Sequence, residues 1–271
     1  MKASVIQMVS TSDTEENLSK ASELLRTAKS QGAEIAVLPE MFAHFGEKDA
    51  QEFASQWTQA DGPVRTWLKS LCEELDLWVI AGTLPVLDSD QQAKPTATCL
   101  IVDNQGNEHD RYDKVHLFDV DVSDKQGAYR ESNFYQAGTQ TCVADTPLGK
   151  LGMAICYDLR FPELFRNLVD QGATLFAIPS AFTYQTGSAH WLPLLQARAI
   201  ENQCFVLAAN QGGEHSETRR TWGQSCIIDP WGKVLGEIAE GEGVLTIDLP
   251  LEETRAIRAN IPCLNNRMDW L

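Results

Sequence analysis

Two stretches, "GAEIAVLPEMF" (Gly32 to Phe42) and "GATLFAIPSAF" (Gly172 to Phe182), carry Gly, Ala, Pro and Phe at the same offsets. Each is an apolar run entered from a glycine and closed by a proline, which reads as a buried strand. Two more pairs follow in the same order. "LWVIAGT" from Leu77 resembles "CFVLAAN" from Cys204, and "CLIVDNQG" from Cys99 resembles "CIIDPWG" from Cys226. Ordered self-similarity of this kind is the mark of a duplicated unit. Outside the quoted pairs, "ASVIQM" from Ala3 reads as a strand. Asp13 to Ser30 starts on cap-type residues and spaces Leu18, Ala21, Leu24, Leu25 and Ala28 as one helix face. "LWVIAGTLPV" from Leu77 reads as one strand. Each copy is then strand-helix-strand-helix-strand-strand. Two such units bury their sheets best face to face with helices outside, an α/β fold in the form of a four-layer αββα sandwich with an internal pseudo-twofold. One domain spanning 1–271 is expected.

Composition narrows the partners. Hydrophobic residues at 43% against 22% charged exclude a disordered or fibrous chain. The 22 basic and 38 acidic residues leave a net charge of −16, which repels phosphate backbones and anionic lipid, so neither nucleic acid nor membrane is an expected partner. The opening "MKASVIQMVSTSDTEENL" lacks the apolar core of a signal peptide, and a cytoplasmic address is expected. Seven scattered cysteines without CxxC spacing or nearby histidine pairs point to no disulfide framework and no metal.

The repeat also locates chemistry. In "LGMAICYDLRFPEL" (Leu151 to Leu164), Cys156 closes the first strand of the second copy, where the first copy has Gln7. A buried cysteine is usually a small hydrophobe, so packing is the competing reading. Glu40 closes the second strand of the first copy, opposite Ser180 of the second. Lys114 follows the last strand of the first copy in "DRYDKVHLFD". Strand carboxyl ends are where α/β ligand sites collect. A glutamate to take the thiol proton, a thiolate to attack an amide carbonyl and an ammonium to hold the oxyanion are the parts of thiol acyl transfer.

With "LPEMF", "YDKVHLFD" and "CYDLRFPEL" in order, and with "VIQM", "DPWG" and "IPCLNNR" extending the match along the chain, the sequence resembles the nitrilase superfamily, the carbon–nitrogen hydrolases. The resemblance implies the αββα sandwich, a Glu-Lys-Cys triad, no cofactor and a homodimer. It implies Cys156 as nucleophile, Glu40 as general base and Lys114 as oxyanion stabiliser. Glu131 in "GAYRES" matches a further glutamate of the family, which implies that it positions Lys114 and the attacking water, and a purely structural ion partner for Lys114 is its other reading. The backbone N–H of Tyr157 is the second oxyanion donor. "CYDLRFPEL" and "PSAFTYQTGSAHW" are most similar to the Nit branch. That branch implies hydrolysis of the side-chain amide of a 2-oxo acid, deaminated glutathione first; 2-oxoglutaramate, an N-carbamoyl amine or a nitrile are the alternatives. An inactive scaffold on the same fold is the non-enzyme reading.

Such a substrate is anionic, and the site must supply positive charge in an acidic protein. Arg160, four residues past Cys156, is the candidate for a bidentate grip on the carboxylate, with a salt bridge to Asp158 or Glu163 as its competing reading. By the internal symmetry Phe182 and Thr183 lie opposite Glu40 and are expected to line the pocket. His190 is read as a structural residue at the start of a helix. Lys114 is expected to favour the Cys156 thiolate and Glu40 to oppose it, and iodoacetamide is expected to label Cys156 ahead of the other six cysteines.

Overall fold

In the computed structural model, which describes residues 1–268 apart from residues 47, 90, 91 and 126, the duplication is one of strand order. The first copy runs β1 (Lys2–Gln7), α1 (Thr14–Ser30), β2 (Ile35–Leu38), α2 (Ala50–Trp57), α3 (Pro63–Leu75), β3 (Trp78–Ala81), β4 (Leu84–Val86), β5 (Thr96–Val102) and β6 (Glu108–Asp113). A two-stranded ribbon, β7 (Asp119–Asp121) and β8 (Ala128–Arg130), leads to the second copy. That copy runs β9 (Val143–Thr146), β10 (Gly149–Met153), α4 (Pro162–Asp170), β11 (Leu175–Ala177), α5 (Tyr184–Asn202), β12 (Phe205–Ala208), β13 (Cys226–Ile228) and β14 (Val234–Glu237). β15 (Gly243–Asp248) and α6 (Glu253–Asn260) close the chain. Neighbours β1-β2-β3-β5-β6 in one sheet match β10-β11-β12-β13-β14 in the other, three parallel strands and then two antiparallel ones. β15 extends the first sheet beside β1, and β9 the second beside β10.

Local chemistry explains the elements. Asp13 caps α1 by accepting from the Glu16 N–H at 3.0 Å, and Ala21, Leu25 and Ala28 form its buried face. Gly32 and Gly172 follow the ends of α1 and α4 at φ +90° and +99°, a turn into the next strand that a side chain would strain. "LWVIAGTLPV" is not one strand. It breaks at Gly82, where φ is +47° and a Cβ would lie 2.0 Å from the Pro39 carbonyl oxygen, so β3 and β4 pair in turn with β5.

Alternation sorts the side chains into layers. Ala3, Val5, Ile35, Val37, Ile80 and Ile101 join Met153, Leu175 and Ala177 of the second sheet in one apolar cluster. Ile6, Ala36, Leu38 and Val79 turn instead to Leu25 of α1 and to Val64 and Leu68 of α3. Phe165 of α4 and Trp191 and Leu195 of α5 cover the second sheet. The result is the expected helix-sheet-sheet-helix sandwich. Each fully buried Leu or Ile contributes about 1.5–3 kcal/mol to holding it together. No helix among the described residues is long and apolar enough to cross a membrane.

The register corrects one equivalence. Ala3 pairs with Ile35 as Leu151 pairs with Leu175, so counting on equally from each brings Cys156 level with Met8, not Gln7. Gln7 is a buried tie instead, donating to the Gly241 carbonyl at 2.7 Å and accepting from the Ser225 N–H at 2.8 Å.

Candidate active site

Four strand exits and turns deliver the four expected reactive side chains to one place. Glu40 follows Pro39 at the end of β2, and Lys114 directly follows β6. Glu131 opens a 3₁₀ turn after β8, and Cys156 opens another after β10. All four are buried, with exposures of 3% for Glu40, 2% for Lys114, 3% for Glu131 and 8% for Cys156. Lys114 Nζ sits between the carboxylates, 2.8 Å from Glu40 Oε1 and 3.0 and 2.9 Å from the two Glu131 oxygens. The Phe118 N–H donates to Glu131 Oε2 at 2.6 Å. A buried ammonium is tolerated only when its protons are so occupied.

Cys156 lies past the strand rather than in it, at φ +46°. Met41, beside Glu40, is left-handed as well, at φ +57°. Such backbone costs on the order of 1–3 kcal/mol per residue and persists where surroundings over-determine it. Here the Cys156 N–H donates to the Pro179 carbonyl at 2.9 Å and the Met41 N–H to Thr83 Oγ1 at 2.9 Å. Gln211 Nε2 donates to the Glu40 carbonyl at 3.0 Å. Asp158 binds the cysteine turn to the lysine segment: it accepts from the Ile155 N–H at 2.8 Å, the Tyr112 hydroxyl at 2.8 Å and the His116 N–H at 3.1 Å, and it meets His116 Nδ1 at 2.7 Å.

Burial above all, and then the Glu40 charge, push the Cys156 thiol well above its ordinary pKa, and Lys114 only partly offsets them. Cys156 therefore rests as a thiol. Burial pulls the Lys114 pKa down, but the charges of Glu131 and Glu40 outweigh it and hold the ammonium well above its usual range. Burial likewise raises Glu131, helped by Glu40 and opposed by Lys114.

All eight residues expected at the site line one cavity: Glu40, Lys114, Glu131, Cys156, Tyr157, Arg160, Phe182 and Thr183. Among the described residues no protein acceptor takes the Tyr157 N–H. The competing salt bridge for Arg160 is not formed, because Asp158 is committed to Tyr112 and His116 and no carboxylate among the described residues pairs with the guanidinium. Arg160 instead lies 5.4 Å from the Phe182 ring centroid and 5.9 Å from that of Tyr157, with its Nη1 3.2 Å from His190 Nδ1. His190 sits within α5, not at its start, and stays outside the cavity. Cys263 is exposed whereas the other six cysteines are buried, so iodoacetamide is expected to reach Cys263 as well as Cys156, contrary to the sequence expectation. Met41, Phe118, Ala181, Thr186 and Arg219 complete the wall without having been singled out in the sequence. Arg219 had one visible signal, the pair "RR" in an otherwise acidic loop. No cluster of His, Cys, Asp or Glu able to hold a metal occurs among the described residues.

The carbon–nitrogen hydrolase family pattern matches residues 2–259. The chain belongs to this family. A deaminated glutathione amidase of Yersinia enterocolitica is 39% identical to this carbon–nitrogen hydrolase over 97% of the chain and 91% of the relative. The solved NitFhit protein of Caenorhabditis elegans superposes with a TM-score of 0.91 at 36% identity, over 98% of this chain and 64% of that one. A glutamate-to-glutamine mutant of the amidase from Nesterenkonia sp. AN1, with acrylamide joined by Michael addition to its active-site cysteine, has a TM-score of 0.78 at 26% identity over 100% of both chains. This carbon–nitrogen hydrolase is thus an enzyme of amide C–N bond hydrolysis, on the nitrilase-type sandwich.

Proposed function

We propose that the enzyme hydrolyses the side-chain amide of deaminated glutathione, the 2-oxo analogue of glutathione, to 2-oxoglutarate and cysteinylglycine. The observation that carries this reading is the pairing of a buried Glu40–Lys114–Glu131–Cys156 cluster with Arg160, a guanidinium on the same cavity without a carboxylate partner. Relatives such as the one from Yersinia enterocolitica bear the corresponding name. A 2-oxo acid carboxylate satisfies Arg160 bidentately, and its far amide then reaches Cys156.

Because Cys156 rests as a thiol, Glu40 takes the Sγ proton as the sulfur attacks the amide carbon. Lys114, held as an ammonium, and the free Tyr157 N–H receive the developing oxyanion; donors of this kind are worth about 10²–10³ in rate each. Glu40 returns the proton to the leaving nitrogen, the C–N bond breaks, and cysteinylglycine departs from a thioester. Water enters, gives its proton to Glu40 and adds to the thioester carbon. Collapse breaks the C–S bond, restores the thiol and frees 2-oxoglutarate. Glu131 holds Lys114 in place throughout. The cycle uses no cofactor.

The test is 2-oxoglutarate release from deaminated glutathione and from 2-oxoglutaramate, by the wild type, Cys156→Ala and Arg160→Met. The reading expects Cys156-dependent turnover with deaminated glutathione preferred, and a rise in KM of about 10–100-fold in Arg160→Met, the cost of one charge-assisted contact. Preference for the smaller amide would make the enzyme an ω-amidase. The reading includes a cytoplasmic homodimer. Ile200 and Trp231, 53% and 63% exposed and neighbours through Gly232, offer apolar surface for that contact, and light scattering should return twice the monomer mass.

A further inference from the structure

Arg219 is the strongest feature of the site that the chemistry above leaves unused. It is only 8% exposed, its Nε is buried with no hydrogen-bond partner, and no carboxylate among the described residues comes within ion-pair distance. Its guanidinium lies between two rings, 4.5 Å from the Tyr129 centroid and 5.6 Å from that of Phe45. Ring faces replace part of the lost hydration of a cation, and the Tyr129 hydroxyl oxygen accepts a hydrogen bond from the guanidinium, but neither brings a compensating negative charge. A buried cation so left is incomplete until an anion arrives.

Its position says which part of a ligand supplies that anion. Arg160 borders the inner cavity alone, whereas Arg219 also borders two outer clefts, one running past Phe45 and Asn133 and the other past Tyr184 and Gln185. In an acyl-enzyme cycle the acyl half stays bound to Cys156 while the amine half must leave before water can enter. The amine half therefore occupies the outward side of the cavity, where Arg219 stands.

We infer that Arg219 binds the terminal carboxylate of the leaving dipeptide and so selects amides of carboxylate-bearing amines over the unsubstituted amide. This rests on the deaminated glutathione reading. It assigns the two arginines of the cavity, neither paired with a carboxylate among the described residues, to the two ends of one substrate, Arg160 to the 2-oxo acid and Arg219 to the leaving group.

The experiment is a cycle of protein and substrate changes. The kcat/KM of the wild type, Arg219→Met and Arg219→Lys is measured on deaminated glutathione and on the same compound with its terminal carboxylate converted to an amide. Melting curves of each variant check the fold. Amidating the substrate should cost the wild type about 10–100-fold, chiefly through KM, as expected for one charge-assisted contact. Arg219→Met should lose a similar factor on the free acid and be indifferent to amidation, with Arg219→Lys between them. A wild type indifferent to amidation overturns the Arg219 assignment, and this arm does not depend on any variant folding. Equal losses on both substrates in a folded Arg219→Met also overturn it, by showing a role in packing. A wild type that turns over 2-oxoglutaramate but not deaminated glutathione overturns the substrate reading itself, and the Arg219 assignment with it.

Discussion

At three matching positions the two copies of the fold carry different chemistry. Where the second copy puts Cys156, the first has Met8, apolar and fully buried. Where the first puts Glu40, the second has Ser180, whose N–H and hydroxyl are spent on the backbone carbonyls of Ala209 and Ile178. Tyr112 pairs with Cys99 as Glu237 pairs with Cys226, so two residues further on Lys114 corresponds to the exposed Ala239. Duplication brings strand ends together, but a symmetrical set of reactive groups would bury a second cluster of charges beside the first. Glu131 and Arg219 come from connections between the repeated elements, the segment after the β7–β8 ribbon and the loop between β12 and β13. The shared scaffold supplies convergence, and the unshared parts supply a second hold on Lys114 and the grip on substrate.

The sharpest way to break that contrast is to change matched positions. Cys156→Ala should reduce hydrolysis to background, while Met8→Leu, a volume-conserving change, should keep kcat within about threefold and cost less than ~1.5 kcal/mol of stability. Comparable rate losses at the two positions, measured on folded protein, would end the asymmetry argument.

Next in size is Glu40→Gln. Loss of the base should lower kcat by about 10²–10⁴. The same change removes one of the charges that hold the Cys156 thiol up, so the thiolate fraction at neutral pH rises and acrylamide or iodoacetamide should add to Cys156 faster than in the wild type. Adduct formation followed by mass spectrometry, with the exposed Cys263 as internal control, reads this directly. Slower addition in the variant would show that Glu40 activates the sulfur even toward alkylation.

Glu131→Gln should have a smaller effect, about 10–100-fold in kcat, because Lys114 keeps Glu40 and only its positioning suffers. The raised Glu131 pKa adds a sign. As pH falls this carboxylate protonates earlier than an ordinary glutamate, the hold on Lys114 weakens, and activity should drop on the acid side. The variant should lose that acid limb; an unchanged profile would assign the limb to another group.

The smallest effect on catalysis concerns the seam between the copies. His215, from the second, meets the Ser10 carbonyl of the first at 2.7 Å through Nδ1 and stacks on Phe45 at 3.7 Å. Burial, chiefly, pushes its pKa down to about 4, against the Ser10 carbonyl, which favours the charged form. Between about pH 6.5 and 4 the unfolded chain therefore binds a proton that the folded chain refuses, and stability falls as pH drops through that window, by an amount on the order of 3 kcal/mol. Urea midpoints at pH 7 and pH 5 should separate by less in His215→Gln than in the wild type. Equal separations would remove His215 as the source.

The sequence alone determined the sandwich, its duplication and the meeting of Glu40, Lys114 and Cys156, and the family resemblance added Glu131. Apolar runs, glycine turns and repeated segments are local features, and strand ends in a doubled unit have few places to go. What it could not contain was anything set by distant neighbours. The break at Gly82 depends on the Pro39 carbonyl at the end of the neighbouring strand, and the equivalence of Met8 with Cys156 depends on register. Whether Cys156 rests as thiol or thiolate depends on how burial and Glu40 weigh against Lys114. "RR" at 219 and 220 reads alike twice, yet Arg219 enters the catalytic cavity while Arg220 lies outside it, 3.8 Å from the Tyr184 ring. Only the tertiary structure decided these, because desolvation, ion pairing and cavity shape belong to groups brought together from remote segments and to no single stretch of the chain.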